Sequence, residues 1–231
     1  MDKELGKRIT YALRQMHGKI DLNEFIARRI RSKELFEYII AVMLSQNTSD
    51  RNAIKAYERL RDLLNGSIVP EKILQTRFDD IVNAIRPAGM HYQRARRIIE
   101  LAKLFMNNDF VNKIINDITN MDVEEARKLL TSLPGIGSKS ADVILLMYFG
   151  KPTFPVDTHI MRITKRLGYI GKYDYENIRR FWMDIIDPRD YLEIHLLLVT
   201  HGRRICKPRN PLCNKCLLSG LCKFNLSKNI L

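Results

Sequence analysis

The amino-acid sequence predicts an all-α protein. Apolar residues recur at spacings of three and four along most of the chain, as at Leu35, Ile39 and Met43. No convincing segment alternates apolar and polar residues with a period of two, so we expect strands to be absent or minor. A length of 231 residues allows one large domain or two small ones.

Residues that begin or end helices delimit these apolar stripes. Ser32 is a possible cap for the first stripe, and Thr48 or Ser49 for the second. Asp122, with Glu125 three residues later, resembles a capping box. Pro70 opens a short helix. The next stripe runs from Phe78 to Ile85 and is ended by Pro87 and Gly89, and a further stripe covers residues 95–105. We interpret the stripes as core.

The charge balance indicates a polyanionic partner. Lys and Arg total 39 against 26 Asp and Glu, which gives a net charge of +13 and a pI near 9.7. Nucleic acid is the commonest polyanion, whereas dispersed charge argues against a membrane surface. The longest apolar segments, residues 143–149 and 194–199, are far shorter than the roughly 20 residues of a membrane span. No apolar segment follows the charged N-terminus, so we expect an intracellular protein, in the cytoplasm, nucleoid or nucleus.

A hairpin is predicted at residues 133–142, where the sequence reads LPGIGSKSAD. Pro134 ends one helix, and Gly135 and Gly137 permit positive φ and a close backbone approach. The next helix begins at or near Ser138 and is expected to bury Ala141, Ile144, Leu145 and Tyr148. Backbone N–H groups at such a helix start suit a DNA phosphate, directly or through a bound cation. Plain turn chemistry remains the alternative.

A second segment, VDTHIMR at residues 156–162, leads into a helix that Gly168 ends. Asp157 is well placed to be the N-cap of that helix. Most aspartates in such positions only cap helices, so this pattern alone does not establish a catalytic carboxylate.

All four cysteines lie within the last 26 residues, at Cys206, Cys213, Cys216 and Cys222. In an intracellular protein such a cluster indicates metal ligation before disulfides. One Cys-x2-Cys pair is flanked by single cysteines at unequal distances, and the chemistry leaves both zinc and a 4Fe–4S cluster open.

These three segments together resemble the endonuclease III branch of the helix-hairpin-helix DNA glycosylases. LPGIGSKSADVIL, PVDTHIMRI and HGRRIC with the cysteine run follow in the family's order and spacing, and the resemblance covers about residues 30–225. It implies that Lys139 and Asp157 are catalytic. It also implies that the four cysteines hold a 4Fe–4S cluster rather than zinc.

The resemblance further implies two helical lobes with the active site in the cleft between them. One is a six-helix lobe, residues 28–151, which contains the helix-hairpin-helix motif. The other is discontinuous, residues 1–27 plus 152–231, and carries the iron–sulfur loop. The implied partner is double-stranded DNA with a damaged base or an abasic site, bound by a monomer.

The implied activity is a bifunctional DNA glycosylase and AP lyase that removes damaged pyrimidines such as thymine glycol. The target nucleotide is flipped out, Lys139 displaces the base and forms an imine with the sugar, and β-elimination cuts the strand. Asp157 either takes a proton from Lys139 or stabilises positive charge on the sugar.

Two other classes of function remain open. One is a glycosylase of the same superfamily that acts on G/T or G/U mismatches, or on adenine opposite an oxidised guanine; those branches usually lack the hairpin lysine. The other is a non-catalytic DNA-binding module. The presence of both Lys139 and Asp157 counts against the second.

The resemblance also suggests residues that contact DNA. Gln46 or Asn47 fills the gap left by the flipped base, and Met90 or His91 wedges into the opposite strand. His159 is a structural residue or a phosphate contact. The remaining contacts implied are those of the hairpin at Gly135, Ile136 and Gly137.

Two positions depart from the family pattern. Ser138 stands where a basic residue is frequent, which would weaken a phosphate contact. Asp142 stands where Asn is common, and an acidic group there is expected to alter the hairpin helix or the fit to DNA.

Overall fold

The computed structural model describes residues 3–21, 25–30 and 34–228, and every regular element in those ranges is a helix. The all-α prediction is therefore confirmed. The α-helices are α1 Lys3–His17, α2 Ile26–Arg29, α3 Leu35–Leu44, α4 Asp50–Leu63, α5 Pro70–Gln75, α6 Phe78–Ile85, α7 His91–Phe105, α8 Asn108–Asn120, α9 Val123–Thr131, α10 Ser138–Met147, α11 Thr158–Leu167, α12 Tyr175–Ile185, α13 Tyr191–Arg204 and α14 Lys223–Lys228. Short 3₁₀ turns lie at Arg86–Ala88, Pro188–Asp190, Cys213–Lys215 and Ser219–Leu221. Across the part of the chain that the structure describes, no helix is long and apolar enough to cross a membrane.

The chain forms two compact units, one comprising Leu22–Lys151 and the other Met1–Asp21 with Pro152–Leu231. In the larger unit α3 is central, because every residue of this helix except Glu37 is buried. It packs against α4, α7 and α10. This arrangement brings the end of α3 beside the hairpin that precedes α10.

The smaller unit is built around α13, which packs against α1 and α11. Trp182 is fully buried, stacks on Phe154 with ring centroids 5.8 Å apart, and donates its indole N–H to Thr164 Oγ1 at 2.8 Å. These contacts fix α11, which begins after Asp157. The cysteine run follows the end of α13.

Local capping chemistry sets several boundaries. Of the two candidates Thr48 and Ser49, Ser49 is the cap, since its hydroxyl accepts from Asn52 N at 3.3 Å. Asp122 Oδ1 accepts the N–H groups of residues 124 and 125 at 2.8 and 2.9 Å. Pro70 is the first residue of α5. The proposed cap at Ser32 lies outside the described residues.

Candidate active site and metal centre

The hairpin between α9 and α10 has the predicted close backbone approach at Gly135. Its φ is +80°, and a Cβ there would lie 2.6 Å from Met43 Cε and 3.2 Å from Arg97 Cβ. Only glycine fits this position without displacement of its neighbours. The buried Ile136 follows, and its N–H donates to Leu133 O at 3.2 Å.

The corresponding prediction for Gly137 is wrong. Its φ is −101°, and nothing lies within 4 Å of a Cβ built on it. The reason is that Gly137 is the N-cap of α10, where extended backbone precedes the first helical residue and any residue can adopt it. The helix then buries Ala141, Ile144 and Leu145 as expected, whereas Tyr148 is its half-buried C-cap.

Lys139 lies in the first turn of α10 and is half-buried, next to an exposed Ser138. Backbone N–H groups of a first helical turn have no partner within the helix, and the helix dipole makes that end positive. The hairpin therefore offers an amine and a set of amide donors at the same place in the larger unit.

The structure separates Gln46 from Asn47. Gln46 Nε2 donates to Gly135 O at 2.8 Å and to Ser140 Oγ at 3.0 Å, so this amide supports the hairpin on both sides of Lys139. Asn47 is exposed, with a left-handed φ of 51°. The two neighbours thus differ in what they offer to a ligand.

Met90 and His91 also differ. Met90 is 57% exposed and has a left-handed φ of 49° at the start of α7. His91 is half-buried, and its ring lies against Tyr92 with centroids 4.9 Å apart. Of the two, Met90 presents the larger apolar surface to solvent.

Arg94 is a buried residue that the sequence reasoning missed. Its guanidinium donates to Met43 O at the end of α3 and to Gln46 O in the segment after that helix, the latter at 3.0 Å. It also donates to Gly89 O at 3.3 Å and Ala88 O at 3.4 Å. Burial lowers the pKa of this arginine from its usual value. Arg94 shares a helical face with the core positions of α7, residues 98, 101 and 105, and that spacing was an available signal.

Asp142, the acidic residue that departs from the family pattern, lies inside the hairpin. Its side chain is fully buried and forms an ion pair with Arg127 Nε of α9 at 2.9 Å. Arg127 also pairs with the exposed Glu124 at 2.8 Å. The acidic residue therefore joins the two helices of the hairpin instead of facing outward to DNA.

Asp157 caps α11, as predicted. Its Oδ1 accepts from Ile160 N at 2.8 Å, and the side chain is half-buried in the smaller unit. The preceding segment is held by His195, whose Nδ1 lies 3.0 Å from Pro155 O. Because a carbonyl only accepts, that nitrogen of His195 carries the proton.

His159 is joined to the end of α13 through Arg162. Arg162 donates to His159 Nδ1 at 3.0 Å, to Gly202 O at 2.9 Å and to Cys206 O at 2.9 Å. A guanidinium has no acceptor, so His159 Nδ1 accepts and a neutral ring carries its proton on Nε2. Burial lowers the pKa of His159, which favours the neutral ring.

The four cysteines line the same cavity in the smaller unit. All four are half-buried. Burial raises the pKa of Cys216 to about 11 and also raises the pKa of Cys222, so these groups are neutral thiols until a metal displaces their protons. Among the described residues no group of three or more His, Cys, Asp or Glu side chains is arranged to hold a single metal ion.

Two further side chains contact the thiols, and sequence reasoning assigned a role to neither. Arg166 donates to Cys206 Sγ at 3.1 Å and to Lys207 O at 2.8 Å. His201, which is 1% exposed, has Nε2 3.6 Å from Cys216 Sγ. Helical periodicity predicts which face of α11 or α13 is buried, but it does not predict that the cysteine loop packs against that face.

Comparison with known proteins agrees with this geometry. The model of the HhH-GPD superfamily base excision DNA repair proteins matches residues 40–188. Endonuclease III of Sulfolobus acidocaldarius is 36% identical over 229 residues, which are 96% of this chain and 97% of that protein. Endonuclease III of Thermotoga maritima is 31% identical over 85% of this chain and 86% of its own length.

A solved structure of a trapped covalent intermediate of endonuclease III with DNA is also similar. It has a TM-score of 0.77 and 26% identity, and 99% of each chain is covered. A non-covalent endonuclease III–DNA complex has the same fold, with a TM-score of 0.81 at 24% identity and complete coverage of both chains. The chain therefore belongs to the endonuclease III family of the HhH-GPD superfamily.

Proposed function

We propose that this protein is a bifunctional DNA glycosylase and AP lyase of base excision repair that removes damaged pyrimidines such as thymine glycol. The observation that carries the proposal is a lysine, Lys139, in the first turn of α10 directly after a glycine hairpin. The family membership and the covalent DNA intermediate formed by a 26% identical relative support it. A DNA substrate also supports an intracellular location, in the cytoplasm, nucleoid or nucleus.

We assign Lys139 the role of nucleophile. Its amine attacks the sugar carbon that bears the flipped base, the base leaves with the electrons of the glycosidic bond, and an imine joins enzyme and sugar. The imine withdraws electrons, so a neighbouring proton is lost and the 3′ phosphate is expelled. Only the neutral amine is nucleophilic, so this step requires the Lys139 ammonium to lose a proton first.

We assign Asp157 as the carboxylate that takes part in the reaction. The helix cap uses Oδ1, and we assign to Oδ2 the transfer of a proton from the lysine or the stabilisation of cationic sugar. His159 Nε2–H, the proton position that follows from its bond with Arg162, is assigned a contact with a DNA phosphate.

We assign Asn47 and Met90 as the residues that enter the DNA. Asn47 is exposed, whereas the side chain of its neighbour Gln46 is bonded to the hairpin. Met90 is an exposed apolar side chain on a residue with positive φ. A polar group suits the gap opposite an unpaired base, and an apolar group suits insertion between stacked bases.

We infer that Cys206, Cys213, Cys216 and Cys222 hold a 4Fe–4S cluster. The four thiols line one cavity, and a 4Fe–4S cluster held by four cysteines is expected of the endonuclease III family to which the chain belongs. Arg166 donates to one of these sulfurs, which suits an anionic cluster. When bound, the cluster supplies structural cross-linking of the loop and one-electron redox chemistry.

Borohydride trapping on a duplex with one thymine glycol tests the proposal. The wild-type protein should form a covalent adduct, and Lys139→Ala should form none. Lys113→Ala removes an exposed lysine on α8 of the same unit, and this control should trap like the wild type. An adduct that persists in Lys139→Ala would show that another amine reacts.

Base release by the wild type without any adduct would contradict the imine mechanism. If thymine glycol is not released at all, duplexes with G/U and G/T mispairs are assayed next. Release from those substrates alone would favour a mismatch glycosylase over the proposed substrate class.

A further inference from the structure

Two histidines and a cysteine of the smaller unit form a continuous contact that the proposed reaction does not use. His17 is at the end of α1, His201 lies on α13, and Cys216 lies in the loop after it. His17 Nε2 is 3.1 Å from His201 Nδ1, and His201 Nε2 is 3.6 Å from Cys216 Sγ. The two rings meet edge to face with centroids 5.4 Å apart.

The proton positions in this contact follow from the chemistry of the sulfur. A thiolate that binds a metal has no proton and can only accept a hydrogen bond. With Cys216 as a cluster ligand, His201 must therefore donate through Nε2. His201 is 1% exposed, and a site this buried disfavours a charged ring, so the neutral imidazole has a single N–H.

The same reasoning extends to His17. If His201 carries its proton on Nε2, its Nδ1 is an acceptor, and the nitrogen 3.1 Å away must be the donor. His17 Nε2–H is that donor. If His17 instead accepted, His201 would carry its proton on Nδ1 and would turn a lone pair towards an anionic sulfur.

We propose that His17 is a positioning residue for the iron–sulfur cluster: it holds His201 in the tautomer that donates a hydrogen bond to the Cys216 thiolate. This inference rests on the cofactor assigned under the proposed function. Hydrogen bonds to cluster sulfurs stabilise the more negative, reduced form and raise the reduction potential. A residue of the N-terminal helix thereby adjusts the electron affinity of a centre formed by the C-terminal loop.

The chain offers variants that separate hydrogen bonding from packing. His17→Leu removes the donor, while His17→Gln retains an N–H at a similar distance along the side chain. Met16→Leu is the matched control. Met16 Sδ accepts from Leu217 N at 3.3 Å, so this residue contacts the same loop through a bond that does not involve the two histidines. Arg166 supplies a separate donor to Cys206, so the effect of His17 is partial.

The test is voltammetry of the DNA-bound holoproteins, together with iron and sulfide content. His17→Leu should lower the reduction potential of the cluster by about 59 mV, which corresponds to a tenfold change in the reduced-to-oxidised ratio of a one-electron couple. His17→Gln and Met16→Leu should keep the wild-type potential. The cluster of His17→Leu should also be lost faster to a chelator.

Three outcomes would overturn the inference. An unchanged potential in a cluster-loaded His17→Leu protein would refute it while leaving the cofactor assignment intact. An equal shift in Met16→Leu would assign the effect to packing of the loop. A wild-type protein that purifies with zinc, or without iron and sulfide, would refute the cofactor assignment and this inference together.

Discussion

Replacement of Arg94 tests how the two segments proposed to enter the DNA are held in place. The guanidinium joins the segment after α3, which carries Asn47, to the turn that carries Met90. Arg94→Met keeps most of the aliphatic stem and removes all of these donors. The carbonyls of Met43 and Gln46 then lose their closest partner from α7.

The magnitude follows from the contacts. Hydrogen bonds from a charged donor contribute about 1.5–3 kcal/mol each, and two of the four contacts of Arg94 are longer and weaker, at 3.3 and 3.4 Å. Relief of a buried charge offsets part of the loss. We expect Arg94→Met to lower the free energy of unfolding by about 3 kcal/mol, and Arg94→Lys by about half as much, since an ammonium is a point donor without the guanidinium fork.

Urea unfolding checks the stability, and single-turnover cleavage checks the positioning. If Arg94 holds both inserting segments, release of thymine glycol should fall about 100-fold, because misplacement of about 1 Å costs that much. Cleavage of a preformed abasic site needs no base to be flipped and should fall much less. An equal loss on both substrates at a temperature where the variant is folded, or no change in stability, would refute this reasoning.

Three further predictions concern the hairpin and a helix cap. Gly135→Ala should destabilise the protein by about 2 kcal/mol through its positive φ, whereas Gly137→Ala should stay within about 0.5 kcal/mol, as measured by urea unfolding. Asp142→Ala should cost about 2 kcal/mol by removing the buried one of the two carboxylates that pair with Arg127, and Asp142→Leu combined with Arg127→Met should recover most of that loss. The backbone N–H of Asn177, then the side chains of Lys172 and Asn177, lower the pKa of Asp174 to about 2. The stabilising effect of this carboxylate is therefore present above about pH 4 and is lost as the pH falls towards 2, and Asp174→Asn should flatten the dependence of Tm on pH in that window.

The helices and their caps were predictable because their causes are local. Ser49, Asp122 and Asp157 each accept a backbone N–H two or three residues further along the chain, and such contacts depend on nearby sequence alone. The hairpin glycine with positive φ, Gly135, was predictable for the same reason. Gly137 was not, because both a turn and an N-cap admit glycine.

The partners of buried polar side chains were not predictable, since tertiary packing chooses them. Asp142 is seen in the sequence only as an acidic residue where Asn is common, and its pairing with Arg127 depends on how α9 and α10 meet. Likewise, the sequence could not distinguish Gln46 from Asn47. The contact between Gln46 and Gly135 spans 89 positions, and it is this contact that leaves the neighbouring Asn47 as the exposed residue of the pair.

The segment HGRRIC, residues 201–206, makes tertiary contacts that explain why its residue types occur together. His201 faces the thiol of Cys216, while the next residue, Gly202, leaves room for His159: a Cβ at Gly202 would lie 2.6 Å from the Cβ of that histidine. The carbonyl of Cys206 then accepts from Arg162. One turn of α13 and the residues that end it therefore contact the cysteine cavity on one side and the helix capped by Asp157 on the other. Direct contacts within the smaller unit thus join the cysteine loop to the helix capped by the proposed catalytic carboxylate.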